Sequence, residues 1–388
     1  MKKKTNLVFF SANRAEYSLI HPFLEIFSEN PFFNVGLIVA GSHLDKKFGS
    51  TYGEIKKDNV KILSKIEIPL KTNSFSDTAA YSNLLQIEIN RILKKTKVDI
   101  AFASSDRFET FSFVVAAYLR KIPIIHYEGG DLTEGGALDD NIRHAITKLA
   151  NIHLTSNSDS LKRILKMGEE KWRCLNIGYS PIFSIKKQNF STSTIRKKFF
   201  LDKKKPLILF TLHPIIKDEK QASKEVKESF SALERLYKNN FQIIITYPNF
   251  DPGYRDIVSK IKIFKKNNKR AMVFKHLGRK NYHSLLYYMG KNKNGVCLGN
   301  SSSGIKEAIL FQCPTINIGN RQNSRLKPLN VIDASASALD IFSKVIKNTK
   351  IKKKLFNPYG LKKSFTFLPN IVIKLKNNKY LQYKKCTY

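Results

Sequence analysis

Asp106 and Glu128 each close an apolar run of strand length, and Asp131, Asp139 and Asp140 follow within a dozen residues of Glu128. Arg14, Arg107, Arg143 and His144 accompany them, so the carboxylates sit in unequal surroundings. That inequality is what acid–base chemistry near neutral pH requires: one group must take a proton while another gives one. A single Asp at such a place reads as a helix cap, as Asp139 could for the segment it opens. Two acids on successive strand ends read as chemistry.

A second constellation lies further on. Gly299-Asn300-Ser301-Ser302-Ser303-Gly304 follows an apolar run and precedes a helical stretch carrying Glu307. Small residues ahead of a helix present N–H groups and hydroxyls to an anion such as a diphosphate. A carboxylate one turn into that helix can accept from ribose hydroxyls. Gly319 to Gln322, with Arg321 and Arg325, brings guanidinium groups after the next run, and His213-Pro214 and Tyr247-Pro248-Asn249 end two earlier ones. Taken alone, the serine turn is equally an ordinary N-cap and the arginines equally solvated loop residues. Their shared position after strands favours a site.

These groups can share a rim only if parallel strands carry them. Apolar runs of strand length alternate with amphipathic stretches throughout, the pattern of βαβ units. In the first half, strands are expected at 7–11, 34–39, 62–68, 98–103, 123–127, 152–156 and 174–177, and helices at 16–27, 75–95, 107–120, 139–151 and 158–167. In the second, strands are expected at 207–211, 242–247, 271–274, 295–298 and 315–318, and helices at 218–239, 253–266, 282–289, 303–311 and 335–348. The fold class is therefore α/β: two Rossmann-like domains facing a cleft. The expected boundaries are an N-terminal domain at 1–182 carrying the carboxylates, a linker at 183–205 where the pattern dissolves into Ser, Thr and Lys, and a nucleotide-binding domain at 206–360. A C-terminal arm at 361–388 is expected to return to the first domain.

Composition agrees with two cores. The chain has 388 residues and is 42% apolar, beyond the ~250–300 residues at which one core divides. No stretch approaches the ~20 apolar residues of a membrane span, and the N-terminus runs from a short basic start into a strand, which makes cytoplasm the expected location. The four cysteines are scattered, without CxxC pairs or histidines at metal-ligand spacing, so no metal is expected. Sixty-eight Lys and Arg against 31 Asp and Glu give a net charge of +37, a balance that ordinarily raises the question of nucleic acid. The lysines are spread among Asn and Ile in runs such as 203–205, 265–270 and 352–354, and no nucleic-acid signature accompanies them. Solvated lysine faces are the simpler reading.

Taken in order, these residues resemble the hydrolysing UDP-N-acetylglucosamine 2-epimerases, which supply N-acetylmannosamine and related sugars for sialic and legionaminic acid synthesis. The resemblance runs from about Leu7 to Gly360. It rests on Arg14-Ala15-Glu16-Tyr17, Gly41-Ser42-His43-Leu44 with Phe48-Gly49, Asp106-Arg107 with Glu109, Glu128-Gly129-Gly130-Asp131, Asp139-Asp140 with Arg143-His144, His213-Pro214, Pro248-Asn249 with Asp251, Asn300 to Gly304 with Glu307, and Gly319 with Arg321-Gln322. It implies a glycosyltransferase-B-like pair of domains, a homodimer, a UDP-N-acetylamino sugar as substrate and no cofactor. The implied reaction eliminates UDP across C1–C2 to a glycal, then adds water with inversion at C2. Asp106, Glu128, Asp139, Arg143 and His213 fall on catalytic positions. Arg14, Asn249, Arg279, Asn300, Ser301, Ser302, Ser303, Gly304, Glu307 and Arg321 are the expected substrate contacts.

The chain departs from the family pattern at several places. Ala12-Asn13-Arg14 stands for Gly-Thr-Arg, Ser18 for a Gly, Ser105 for the Gly of Gly-Asp-Arg, Ile216 for a Thr and Asn320 for an Asp, and Leu361-Lys362-Lys363 replaces a Gly-Asn-Ala segment. Cβ atoms at 12 and 105 are expected to reshape the donor pocket, altering substrate preference rather than abolishing activity. Two readings compete with an epimerase: a glycosyltransferase, which would not need the acid cluster, and a UDP-sugar binder without turnover.

Overall fold

The computed structural model describes residues 4–45, 51–69, 74–133, 138–215, 219–248, 253–351 and 353–387. Two compact units divide it: residues 1–184 with 359–388, and residues 185–358. Phe48, Gly49, Ile216, Asn249 and Asp251 lie outside the described residues.

The first unit is a seven-stranded parallel sheet of β1 (Thr5–Ser11), β2 (Phe33–Val39), β3 (Ile62–Lys65), β4 (Ile100–Ser104), β5 (Ile124–Tyr127), β6 (Ile152–Thr155) and β7 (Cys174–Asn176). Spatial order is β3-β2-β1-β4-β5-β6-β7, so the winding reverses between β1 and β4. Helices accompany it: α1 (Arg14–Ser28), α2 (Tyr52–Lys57), α3 (Phe75–Lys95), α4 (Phe108–Leu119), α5 (Leu138–Leu149) and α6 (Ser158–Lys166). Both sheet faces are covered, which is why the strands read as continuous apolar runs. Val8 and Phe10 pack with Tyr81, Leu85 and Phe113 of α3 and α4, while Phe9 turns the other way, onto Phe27 and Phe102. Sequence supplies the helix starts too: Asn13 caps α1 by accepting from Glu16 N–H (3.0 Å), and Ser74 caps α3 by accepting from Asp77 N–H (3.1 Å).

Two short helices follow, α7 (Pro181–Lys186) and α8 (Thr192–Lys198). α8 and most of α7 fall within 183–205, the stretch expected as a linker. Ile195, Phe199 and Leu201 are buried with Leu207, Leu209 and Leu286 of the second unit. Ser191 caps α8, so the Ser- and Thr-rich composition marks a helix start.

The second unit has six parallel strands, β8 (Leu207–Thr211), β9 (Gln242–Thr246), β10 (Met272–Phe274), β11 (Gly295–Gly299), β12 (Thr315–Ile318) and β13 (Val331–Ala334), in the order β10-β9-β8-β11-β12-β13. Its helices are α9 (Glu219–Lys238), α10 (Tyr254–Asn267), α11 (Gly278–Asn292), α12 (Ser302–Lys306) and α13 (Ala338–Lys347). Alternation again divides the core, with Ile208 and Phe210 against Phe230 and Leu233 of α9, and Leu207 and Leu209 against Leu285 and Met289 of α11. The helix expected over 303–311 breaks after Lys306 into a 3-10 turn, Ala308–Phe311.

Residues 359–388, with α14 (Leu368–Lys376), complete the first unit. Phe365 packs its ring on Phe23 and Phe183 (both 5.2 Å between centroids). Arg173 donates to the carbonyls of Leu381 (2.7 Å) and Tyr380 (2.8 Å), and Lys384 pairs with the buried Glu169 (2.7 Å). No helix among the described residues is long and apolar enough to cross a membrane.

Candidate active site

Each sheet reverses its winding once, between β1 and β4 in one and between β8 and β11 in the other, and ligands of open parallel sheets bind beyond the strand ends at such a point. Arg14 and Asp106 follow β1 and β4, and His213 and Asn300 follow β8 and β11, at these two places.

In the first unit, Asp106 leaves β4 through Ser105, whose φ of +75° is left-handed, and Glu128 follows β5 with a φ of +69°. Ser104 pairs with Tyr127 across these strands, which sets the two loops side by side. Both oxygens of Asp106 are engaged: Ser105 Oγ donates to Oδ1 (2.7 Å) and Arg143 Nη2 donates to Oδ2. Arg143 is 1% exposed and reaches Asp106 from beneath, donating also to Asp140 Oδ1 (3.0 Å), the Asp131 carbonyl and Thr133 Oγ1 (3.2 Å). His126 steadies the same loop. Burial lowers its pKa to about 3, so the neutral ring donates Nε2–H to the Ser105 carbonyl (2.9 Å).

Below the first loop, Glu16 accepts from Ala12 N–H (2.9 Å) and from the Thr110 hydroxyl, bridging the β1 end to the start of α4. Burial, then the charge of Glu109, pushes its pKa up to about 7. Glu109 pairs with Arg107 (3.2 Å).

In the second unit the serine turn runs from Gly299 into α12. Ser301 and Ser303 share a hydroxyl hydrogen bond (3.0 Å), and Ser303 Oγ also meets Tyr282 OH (2.6 Å). Glu307 is the C-cap of α12 and is 8% exposed; His283 Nε2 stands 3.1 Å from its Oε2. Arg321 and Gln322 both donate to the Asn300 carbonyl (3.1 and 3.0 Å). His213, 7% exposed, follows β8, and its main chain is paired with the Asn300 side chain.

The structure thus sets Asp106 and Glu128 on adjacent loops of one strand-end rim with Arg143 on Asp106, and His213, Asn300 to Gly304, Glu307 and Arg321 at the other, while Asp139 lies in the first turn of α5. Arg14 opens α1 half-buried, and Arg279 lies half-buried in the first turn of α11. Asp139 and Asp140 both stand where a helix pair with Arg143 is possible, at i,i+4 and i,i+3. Burial separates them: Asp140, 1% exposed, takes the inner place, and Asp139 is half-buried in the same turn. Tyr282 and His283, which back the serine turn, carry no mark in the sequence. Isolated polar residues within helices or strands carry no spacing signal, and only the fold shows them behind the loops.

Two Rossmann-like units, each built on one parallel sheet, define a glycosyltransferase-B-like architecture. The solved UDP-GlcNAc 2-epimerase from Neisseria meningitidis, bound to UDP-GlcNAc, superposes with a TM-score of 0.77 at 16% identity, covering 96% of this chain and 100% of that one. Among curated proteins, the hydrolysing GDP/UDP-N,N'-diacetylbacillosamine 2-epimerase of Campylobacter jejuni is 34% identical over 87% of this chain and 86% of its own length. Polysialic acid biosynthesis protein P7 of Escherichia coli is 30% identical over 86% and 82%. The family model described as UDP-N-acetylglucosamine 2-epimerase matches residues 25–366. The chain belongs to that family.

Proposed function

We propose that the protein hydrolyses a UDP-N-acetylamino sugar to the free 2-epimer and UDP. The observation that carries this reading is the pair Asp106 and Glu128 on the ends of adjacent strands, each on a loop with a left-handed residue. One of the two takes the C2 proton as the C1–O bond to UDP breaks; the resulting glycal then accepts water across the double bond, with a proton returned to the opposite face of C2. Arg143 and Ser105 hold both Asp106 oxygens, so that the carboxylate meets its proton in one orientation. Asp139 is the nearby alternate. In the second unit, the serine turn and Arg321 hold the diphosphate, Glu307 accepts from the ribose, and His213 donates to the departing UDP.

The sugar is UDP-GlcNAc or its 6-deoxy-4-acetamido relative. The Campylobacter relative's name makes the second the first to assay. Cytoplasmic action as a homodimer, feeding sialic or legionaminic acid synthesis, accompanies this reading. Incubation with each UDP-sugar and NMR of the released product tests it: free 2-epimer plus UDP is expected. Turnover only with an added acceptor, or UDP binding without turnover of either sugar, overturns it.

A further inference from the structure

The chains of β8 and β11 run paired as far as Thr211 and Gly299, and Asn300 N–H still donates to the Thr211 carbonyl (3.2 Å). Beyond that point they part, one into the serine turn and the other into Leu212-His213. The Asn300 side chain continues the pairing. Its Oδ1 accepts from His213 N–H (2.7 Å) and its Nδ2 donates to the His213 carbonyl (2.9 Å). A primary amide offers a donor and an acceptor at the spacing of a peptide group, so this ring of two bonds is a ladder rung made by a side chain.

The second Nδ2 hydrogen goes to Glu225 Oε1 (3.1 Å), and the residue is fully buried. Both amide hydrogens are therefore committed inside the protein, and none remains to donate to a nucleotide. The Asn300 carbonyl, gripped by Arg321 and Gln322, fixes the same residue from the other side.

The geometry points to Asn300 as a positioning residue: it sets the main chain from which the His213 imidazole projects, and so ties that histidine to the turn assigned to the diphosphate. Its place in the sequence suggested a substrate contact instead. The inference rests on the reading of His213 as a catalytic group.

Turnover and UDP affinity are to be measured for wild type, Asn300→Ala, His213→Ala and the double variant. Asn300→Ala is expected to lower kcat by at least ~10²-fold while the Kd for UDP moves less than about threefold. The double variant should be no slower than His213→Ala, because a group that acts only through His213 has nothing left to do once the imidazole is gone. Near-normal kcat overturns the inference. So does a large loss of UDP affinity at unchanged kcat, which would make Asn300 a ligand contact, or a further loss in the double variant. Should Asn300→Ala fail to fold, Asn300→Asp takes its place. It keeps the shape and the acceptor for His213 N–H but loses both donated bonds, and the same split is expected. If wild type binds UDP yet turns over neither sugar, the proposed function fails by itself. The positioning is then read from hydrogen exchange: at least tenfold faster exchange of the His213 amide in the variant upholds it, and an unchanged rate overturns it.

Discussion

At the scale of single residues, the proton transfer proposed for Asp106 and Glu128 has a direct test. Asp106→Asn and Glu128→Gln should each slow turnover by at least ~10²-fold, the low end for loss of a general acid or base, with UDP affinity nearly unchanged. Single-turnover assays beside UDP titrations check both; a variant with near-normal turnover removes that residue from the machinery. The ribose contact proposed for Glu307 exists in the ground state as much as in the transition state. Its loss in Glu307→Ala should weaken UDP about tenfold to a hundredfold by calorimetry, with KM affected more than kcat. Glu16 makes a different prediction. Burial and Glu109 raise its pKa to about 7 in the folded state, so the folded chain binds a proton that the unfolded chain has already lost above pH ~4.5. Stability should fall as pH rises from about 4.5 through 7. Glu16→Gln should flatten that slope in urea unfolding followed at pH 5.5 and 8, and a slope as steep as in wild type would contradict it.

At the scale of elements, the close approach of β8 and β11 depends on Gly299, whose φ is +131° and where a Cβ would overlap the Thr211 carbonyl oxygen. Gly299→Ala must push the strands apart or abandon the φ, and a cost of about 2–4 kcal/mol is expected. Thermal unfolding measures it, and UDP binding should weaken together with stability because the serine turn begins at the next residues. How far such elements could be read from sequence follows from their burial. A strand buried on both faces, such as Leu207–Thr211, shows as an apolar run and has the expected bounds; Thr315–Ile318 has them too, although Asn317 interrupts its apolar residues. β13 was missed, since Val331-Ile332-Asp333 is a half-buried edge with an exposed acid. The short α2 was missed because six residues are too few to show a period. The candidate rims were legible because position after a strand can be read along the chain. The partners behind them, Arg143 under Asp106 and Asn300 against His213, depend on which side chain points inward.

At the scale of the whole molecule, a net charge of +37 on 388 residues must repel itself. Salt shortens the Debye length from about 30 Å at 0.01 M to about 8 Å at 0.15 M. The melting temperature should therefore rise over that range, and calorimetric scans showing a fall would mean that attractive pairs dominate instead. The arrangement of the chain has another consequence. Residues 359–388 belong to the same unit as residues 1–184, so the first unit is interrupted by the second along the nascent chain. At ~5–20 residues per second, the ribosome needs on the order of ten to thirty seconds to deliver residues 185–358. Throughout that interval the first sheet has emerged, while Glu169 still lacks Lys384 and Phe23 still lacks Phe365. Vectorial synthesis thus favours a finished second unit before a finished first one. A chain stalled anywhere in the last thirty residues would leave the ribosome with its earliest-made half unsealed, and that half is the natural place for a chaperone to hold.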